Sequence, residues 1–237
     1  MTFKAGRNAA IYLNGVDITG DLNMITGTSE VELADATVFG SVGHKELPGL
    51  FKDAVQIEGL LDDASLGVAT NMIQASSGYA LMILYGQNIG DPASAVNETM
   101  LGKFEIPGVV KDINKIKLTL DIDNYPIEPC LVLSGKGQKS SSSTGSTIDN
   151  AAPTSAGAVG YVQVFEQTGG TGYTLSIRHS TDNFATDDTE LLTFGNFTGV
   201  GTLRVAAAGT VKRYVRAKWV WGGAGSTATF AIVMHRL

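Results

Sequence analysis

Between Ser134 and Ala158 the chain reads SGKGQKSSSSTGSTIDNAAPTSAGA, in which Ile148 is the only large apolar side chain. A segment of this composition buries too little surface to offset the entropy of ordering it, which predicts a flexible tether over 134–158. The tether divides the chain into a module over 1–133 and a second over 159–237, each large enough to hold a core of its own. The two differ in charge. Residues 1–133 carry 17 Asp and Glu against 8 Lys and Arg, a balance of −9, whereas residues 151–237 carry 5 against 7, a balance of +2.

Charged residues make up only 17% of the chain and glycine is abundant at 29 residues, a pairing that suits short strands joined by tight turns better than helical bundles. Cys130 is the single cysteine, so no internal disulfide is expected. The opening residues lack the apolar run of a secretion signal, and the apolar stretch Ala80–Tyr85 is far too short to span a bilayer, so no membrane insertion is expected.

In the first module, Asn14-Gly15 separates two short apolar runs, Ala10–Leu13 and Val16–Thr19, which is the strongest local signal for a hairpin. The polar, glycine-broken stretch from Thr26 to Leu50 carries no core pattern and reads as a long loop, of the kind that is functional or disordered. Val55–Leu61 alternates like a strand and ends at Asp62-Asp63. Leu66–Ala75 has apolar residues at helical spacing (Leu66, Ala69, Met72, Ile73) and is the one helix expected. Strands are expected at Tyr79–Tyr85, Thr99–Val110, Lys115–Asp123 and Leu131–Leu133. Within 115–123, Ile116, Leu118, Leu120 and Ile122 oppose Lys117, Thr119, Asp121 and Asp123, the signature of an antiparallel sheet with one wet face.

The second module is expected to be almost all strand, over 160–166, 173–179, 191–194, 202–206, 213–221 and 227–234, with glycine- or Asx-rich turns between them. Six strands in so short a span suggest a β-sandwich or jelly roll.

The sequence carries no recognisable catalytic or metal-binding motif. His44, His179 and His235 are isolated in sequence, and neither Asp62-Asp63 nor Asp121-x-Asp123 continues into a cation-binding loop, so structural roles are expected and no metal or cofactor is assigned. Thr168–Gly172 is glycine-rich but leads into a strand, unlike a phosphate cradle, and no nucleophile stands beside a base. Lys212–Lys218 interleaves cations with Tyr214, Trp219 and Trp221, as single-strand or sugar binders do. The two tryptophans share the face of Val215 and Ala217, which reads as core. Tyr173, Trp219 and Trp221 remain the candidate contacts for a glycan. No active site and no enzymatic activity are expected.

Three features of 1–133 together resemble the major tail, or tail tube, proteins of long-tailed bacteriophages: the strand–Asn14-Gly15–strand opening with its glycine-broken continuation; the segment Lys45-Glu-Leu-Pro-Gly-Leu-Phe-Lys-Asp-Ala-Val-Gln-Ile-Glu-Gly59 leading to Asp62-Asp63; and the helix followed by an apolar strand and two more. The second module resembles the β-sandwich modules appended to phage structural proteins, on Thr174-Leu-Ser-Ile-Arg-His-Ser-Thr-Asp-Asn-Phe184 and Lys212-Arg-Tyr-Val-Arg-Ala-Lys-Trp219. It departs from them in having Asn183-Phe184 where a Gly and a Trp are common.

The resemblance implies a mainly β fold: two packed sheets with one flanking helix, plus a C-terminal sandwich on the outside. It also implies hexameric rings stacked into a tube, built in the bacterial host cytoplasm and carried in the virion tail. Partners would be further copies of the chain, tail terminator, tape-measure and baseplate or tip proteins, DNA in transit through the lumen, and host surface glycans. Other virion decoration proteins and two-module carbohydrate binders are the alternatives. The resemblance assigns Glu58, Asp62, Asp63, Asp121 and Asp123 to an acidic lumen that repels DNA phosphate. It assigns Glu30, Glu32, Asp35, Phe39, His44, Leu47 and Phe51 to a loop ordered against the next ring.

Overall fold

The computed structural model describes residues 9–19, 22–35, 46–60, 78–105, 109–110, 113–122, 126–169, 172–223 and 225–237. In chain order the strands are β1 (Ala10–Leu13), β2 (Val16–Asp17), β3 (Leu22–Asp35), β4 (Glu46–Leu60), β5 (Tyr79–Leu84), β6 (Pro92–Glu105), β7 (Val109–Val110), β8 (Ile113–Ile122) and β9 (Glu128–Lys139). They continue as β10 (Ser143–Thr144), β11 (Ile148–Asp149), β12 (Ala158–Thr168), β13 (Tyr173–Ser180), β14 (Thr189–Phe197), β15 (Gly201–Ala207), β16 (Tyr214–Trp221) and β17 (Thr227–Arg236). The fold is mainly β, as expected. The helix expected at 66–75 lies outside the described residues.

The chain forms two compact units, and their border is not where composition placed it. One unit comprises Met1–Thr19, Ala80–Asn97 and Glu128–Leu237; the other comprises Gly20–Tyr79 and Glu98–Ile127. The expected module 1–133 is therefore divided between them. The reason is non-local pairing: β1 pairs with β5, the start of β6 with β9, β9 with β17, and β17 with β12. Composition carries no trace of which distant strands will share a ladder.

The tether expected over 134–158 is likewise corrected. Ser134–Lys139 is the second half of β9 and pairs with β17, while β10 and β11 each pair with β16. Backbone groups make these bonds, so a segment without apolar side chains can still be ordered once a partner strand is beside it. Across it Gly145 N donates to Ala217 O and Asn150 N to Arg213 O.

The first unit holds two sheets. The larger runs β15-β12-β17-β9-β6-β5-β1-β2, and the smaller has β16 flanked by β13 and by the short β10 and β11, with β14 beyond β13. Between them lies a core of Val162, Val164, Phe230 and Ile232 from the larger sheet against Tyr173, Leu175, Ile177, Val215, Ala217 and Trp219 from the smaller. Strands are present at all six positions expected in 159–237, in sheets that also take in strands from outside that span. Gly160 sits where an added Cβ would lie 2.8 Å from Phe194 Cζ and 2.9 Å from Ile177 Cδ1, so a side chain here would displace the ends of those two core residues.

The larger sheet is apolar on its other face too, where Val159, Tyr161, Val233 and Val132 pack with Tyr12, Met82 and Leu84. Burial on both faces explains why Phe230–Met234 is an unbroken apolar run instead of an alternating one. Asn14 and Gly15 close β1 onto β2 with φ of 50° and 81°, the two positive values a type I′ turn requires.

The second unit is a sheet in the order β3-β4-β8, continued by residues 99–105 of β6, with β7 beside β8. Val55 and Ile57 of β4 and Ile116, Leu118 and Leu120 of β8 are all 2% exposed or less and share one face. That is the one-sided sheet the alternation in 115–122 predicts.

Candidate functional site

The wet face of the second unit is the candidate site. Glu58 stands directly across the ladder from Lys117, and the two form an ion pair at 2.9 Å. Glu58 raises the Lys117 pKa by accepting its hydrogen bond. Asp121 is exposed on the same face and packs over Gly102, where an added Cβ would fall 2.0 Å from Asp121 Oδ2. Lys103 and Glu105 of β6 complete the row as a pair at 2.8 Å, and the Lys103 hydrogen bond lowers the Glu105 pKa.

Of the five carboxylates expected to line a lumen, Glu58 and Asp121 therefore share a face, and Asp62, Asp63 and Asp123 lie outside the described residues. Lysines alternate with the carboxylates here, so among the described residues this face is close to neutral. The acidity belongs to the unit as a whole: 14 Asp and Glu against 6 Lys and Arg, a balance of −8, while the first unit balances at +2. The sign difference read from the sequence survives the redrawn border.

The residues expected to form an inter-ring loop are placed differently. Glu30, Glu32 and Asp35 lie on β3, and Leu47 and Phe51 on β4; the two strands pair as far as Asp35↔Glu46 and Val31↔Phe51. A loop over 30–35 and 46–51 is thus replaced by a long hairpin arm, because cross-strand hydrogen bonds order a polar sequence that has no core pattern. Phe39 and His44 lie outside the described residues. β3 is 14 residues long, and β4 is its only strand partner among the described residues. Met24, at 45% exposure, and Thr26 and Thr28 stand in the open along it.

The candidate glycan contacts are not a sugar platform. Tyr173 is 0% and Trp219 6% exposed, and the Trp219 Nε1 donates to Ser141 O at 3.0 Å. Lys139 lies over the Trp219 ring. Trp221 packs edge-on against Tyr173 with centroids 4.9 Å apart. Tyr173 and Trp219 are core, as Val215 and Ala217 on the Trp219 face foretell, and Trp221 is half-buried against them. The basic residues of β13 and β16, and Lys212 and Arg213 just before β16, are also engaged. Arg178, Arg216 and Lys218 all reach Asp188, Lys212 pairs with Asp187, and Arg213 with Asp149. Asp187 and Asp188 come from the 181–190 segment, where Asp182 accepts hydrogen bonds from Ser180 Oγ, Thr186 N and Thr186 Oγ1. Those bonds, with Thr186 first, pull the Asp182 pKa well below the carboxylate range.

Sequence reading passed over the buried polar centre of the first unit. Glu128, 7% exposed, accepts the Tyr161 hydroxyl, and Arg204 donates to Glu128 Oε1 at 2.7 Å and to Tyr161 at 3.1 Å. Burial, reinforced by Glu128, raises the Tyr161 pKa so that the phenol keeps its proton. Burial opposes the Arg204 charge, but the bonds to Glu128 and Tyr161 outweigh it and raise the pKa. Gln163, which bonds to Gly15, Tyr12 and Ala80 instead, was also missed, and it had a signal: it is the one amide side chain in the apolar run Val159–Phe165. Among the described residues no group of three His, Cys, Asp or Glu side chains is placed to hold a metal.

No protein-family model matches the chain, and neither does any curated protein. Solved structures do. The virion of a native gene transfer agent particle is similar over 52% of this chain and 95% of its own, at 15% identity and a TM-score of 0.41. The sheath–tube complex of an extracellular contractile injection system is similar over 51% and 88%, at 13% identity and 0.40. The SPP1 Dit protein, of the hub adsorption apparatus in phages infecting Gram-positive bacteria, is similar over 95% and 98%, at 10% identity and 0.37. At TM-scores below 0.5 these likenesses decide nothing about the role of this chain.

Proposed function

We propose that the chain is a structural, non-enzymatic subunit of a phage-type tail, assembling with copies of itself into six-fold rings that stack around a passage for DNA. The observation that carries this reading is the long, one-sided β3. A 14-residue strand with no second strand partner among the described residues presents a row of unpaired N–H and C=O groups that would template aggregation unless another strand covers it. A closed ring of identical subunits covers every such edge at once. The −8 balance of the same unit suits a wall past which DNA slides, since surplus carboxylate suppresses the counterion release that drives phosphate binding. In this reading Glu58 and Asp121 face the passage. Terminator, tape-measure and baseplate proteins are the further partners, and the virion tail, assembled in the host cytoplasm, is its place.

Negative-stain microscopy and sedimentation of the purified full chain test it. Wild type should form six-fold rings or tubes, and Met24→Lys/Thr26→Lys, which adds charge along the exposed edge, should stay monomeric with unchanged thermal stability. A wild type that remains monomeric at high concentration refutes self-assembly. Assembly of the double variant refutes the role of β3, and single rings that never stack refute the tube.

A further inference from the structure

Asn-Gly is the dipeptide in which a backbone nitrogen most readily attacks the preceding side chain, because glycine leaves the approach open. The chain contains one such pair, Asn14-Gly15. In the reaction Gly15 N gives up its proton and bonds to Asn14 Cγ, the Cγ–Nδ2 bond breaks, and ammonia leaves carrying that proton. Water then opens the cyclic imide to aspartate or isoaspartate. No electrons are exchanged with any other reagent, and water is the sole co-reactant.

The fold holds both the nucleophile and the carbonyl it would attack. Gly15 N donates to Gln163 Oε1 at 2.9 Å. Gln163 is 1% exposed, and its Nε2 donates to Tyr12 O at 3.2 Å and Ala80 O at 3.0 Å, so its oxygen cannot turn away from Gly15 without breaking two more bonds. Asn14 N donates to Ala80 O at 2.9 Å, and Asn14 Oδ1 accepts from Thr202 Oγ1 at 3.3 Å. The nucleophile is buried and hydrogen-bonded, and its target carbonyl is held from the other side. We propose that Asn14-Gly15 is a latent deamidation site that Gln163 silences, so that modification marks chains in which the β1–β2 turn has opened.

Peptide mapping by mass spectrometry after incubation at mildly alkaline pH tests this on four samples: folded wild type, wild type in urea, Gln163→Met and Thr202→Val. Folded wild type should lose the Asn14 amide at least about tenfold more slowly than the urea sample. Folded Gln163→Met should close most of that gap, an acceleration of about ten- to a hundredfold as expected for releasing a buried donor, with a smaller rise for Thr202→Val. Exposed Asn88 should be unaffected by either substitution. Equal rates for folded and unfolded wild type overturn the proposal, as does a folded Gln163→Met variant that deamidates at the wild-type rate. If Gln163→Met does not fold, hydrogen exchange of the wild-type Gly15 amide decides: protection like that of the core strands supports the lock, and exchange at the unfolded rate overturns it.

Discussion

Replacing Arg204 by alanine removes the cation from a carboxylate that is almost out of reach of water. Glu128 is 7% exposed, and the Arg204 side chain that pairs with it is 15% exposed. The Tyr161 hydroxyl would be the one remaining side-chain donor to Glu128 among the described hydrogen bonds. Breaking a buried pair on one side costs about 3–5 kcal/mol, because the desolvated charge left behind is uncompensated. Both tryptophans, Trp219 and Trp221, belong to the first unit, so fluorescence during urea unfolding reports that unit alone. With a slope near the top of the usual range of about 1–3 kcal/mol/M, the midpoint of Arg204→Ala should fall by about 1–2 M. The cycle with Glu128→Gln should be non-additive by about 0.5–3 kcal/mol, the double variant losing less than the two singles together. The control is Arg213→Ala, which breaks an exposed pair with Asp149. A midpoint shift for Arg204→Ala no larger than for Arg213→Ala would refute the argument that burial sets the cost.

Three further outcomes are expected. Trp219→Ala should destabilise the first unit by about 3–5 kcal/mol, as for a large core side chain, and glycan arrays probed with wild type should show no binding dependent on this ring. His179 is buried and its Nδ1 accepts from Lys212 N; burial first, then the nearby Lys212 charge, lowers its pKa from 6.5. The unfolded chain then binds the proton that the folded chain refuses, so this stabilising contribution is present above about pH 6.5 and fades as pH falls below it. Urea midpoints between pH 7.5 and 5.5 should decline in wild type and less so in His179→Gln. Finally, Asp182→Ala removes the acceptor for Thr186 N and Ser180 Oγ, so hydrogen exchange and proteolytic nicking should rise across 181–189 and nowhere else in the first unit.

Redrawing the units also changes how assembly can be dissected. Cutting the chain after residue 134 separates two modules if 134–158 is a tether. In the fold it removes β12 and β17 and truncates β9, and with them the covering of Tyr12, Met82 and Leu84. Point substitutions on β3 test self-assembly without that loss.

Sequence by itself determined the elements whose signal is local. The Asn14-Gly15 turn follows from two residues that tolerate positive φ, the wet and dry faces of β8 from strict alternation, and the strands of the second half from turn chemistry between apolar runs. The core role of Trp219 was legible from its parity with Val215 and Ala217. Tertiary structure alone decided which strands share a ladder, and so decided that 134–139 is a strand, that β3 and β4 form one long arm, and that β1 and β5 belong with the C-terminal half. It also decided the Glu128–Tyr161–Arg204 centre and the grip of Gln163 on Gly15, contacts that span 33 to 148 positions in sequence. The physical reason is common to all of these. Backbone hydrogen bonds and buried polar pairs are satisfied by groups far away along the chain, and neither composition nor periodicity records where those groups will be.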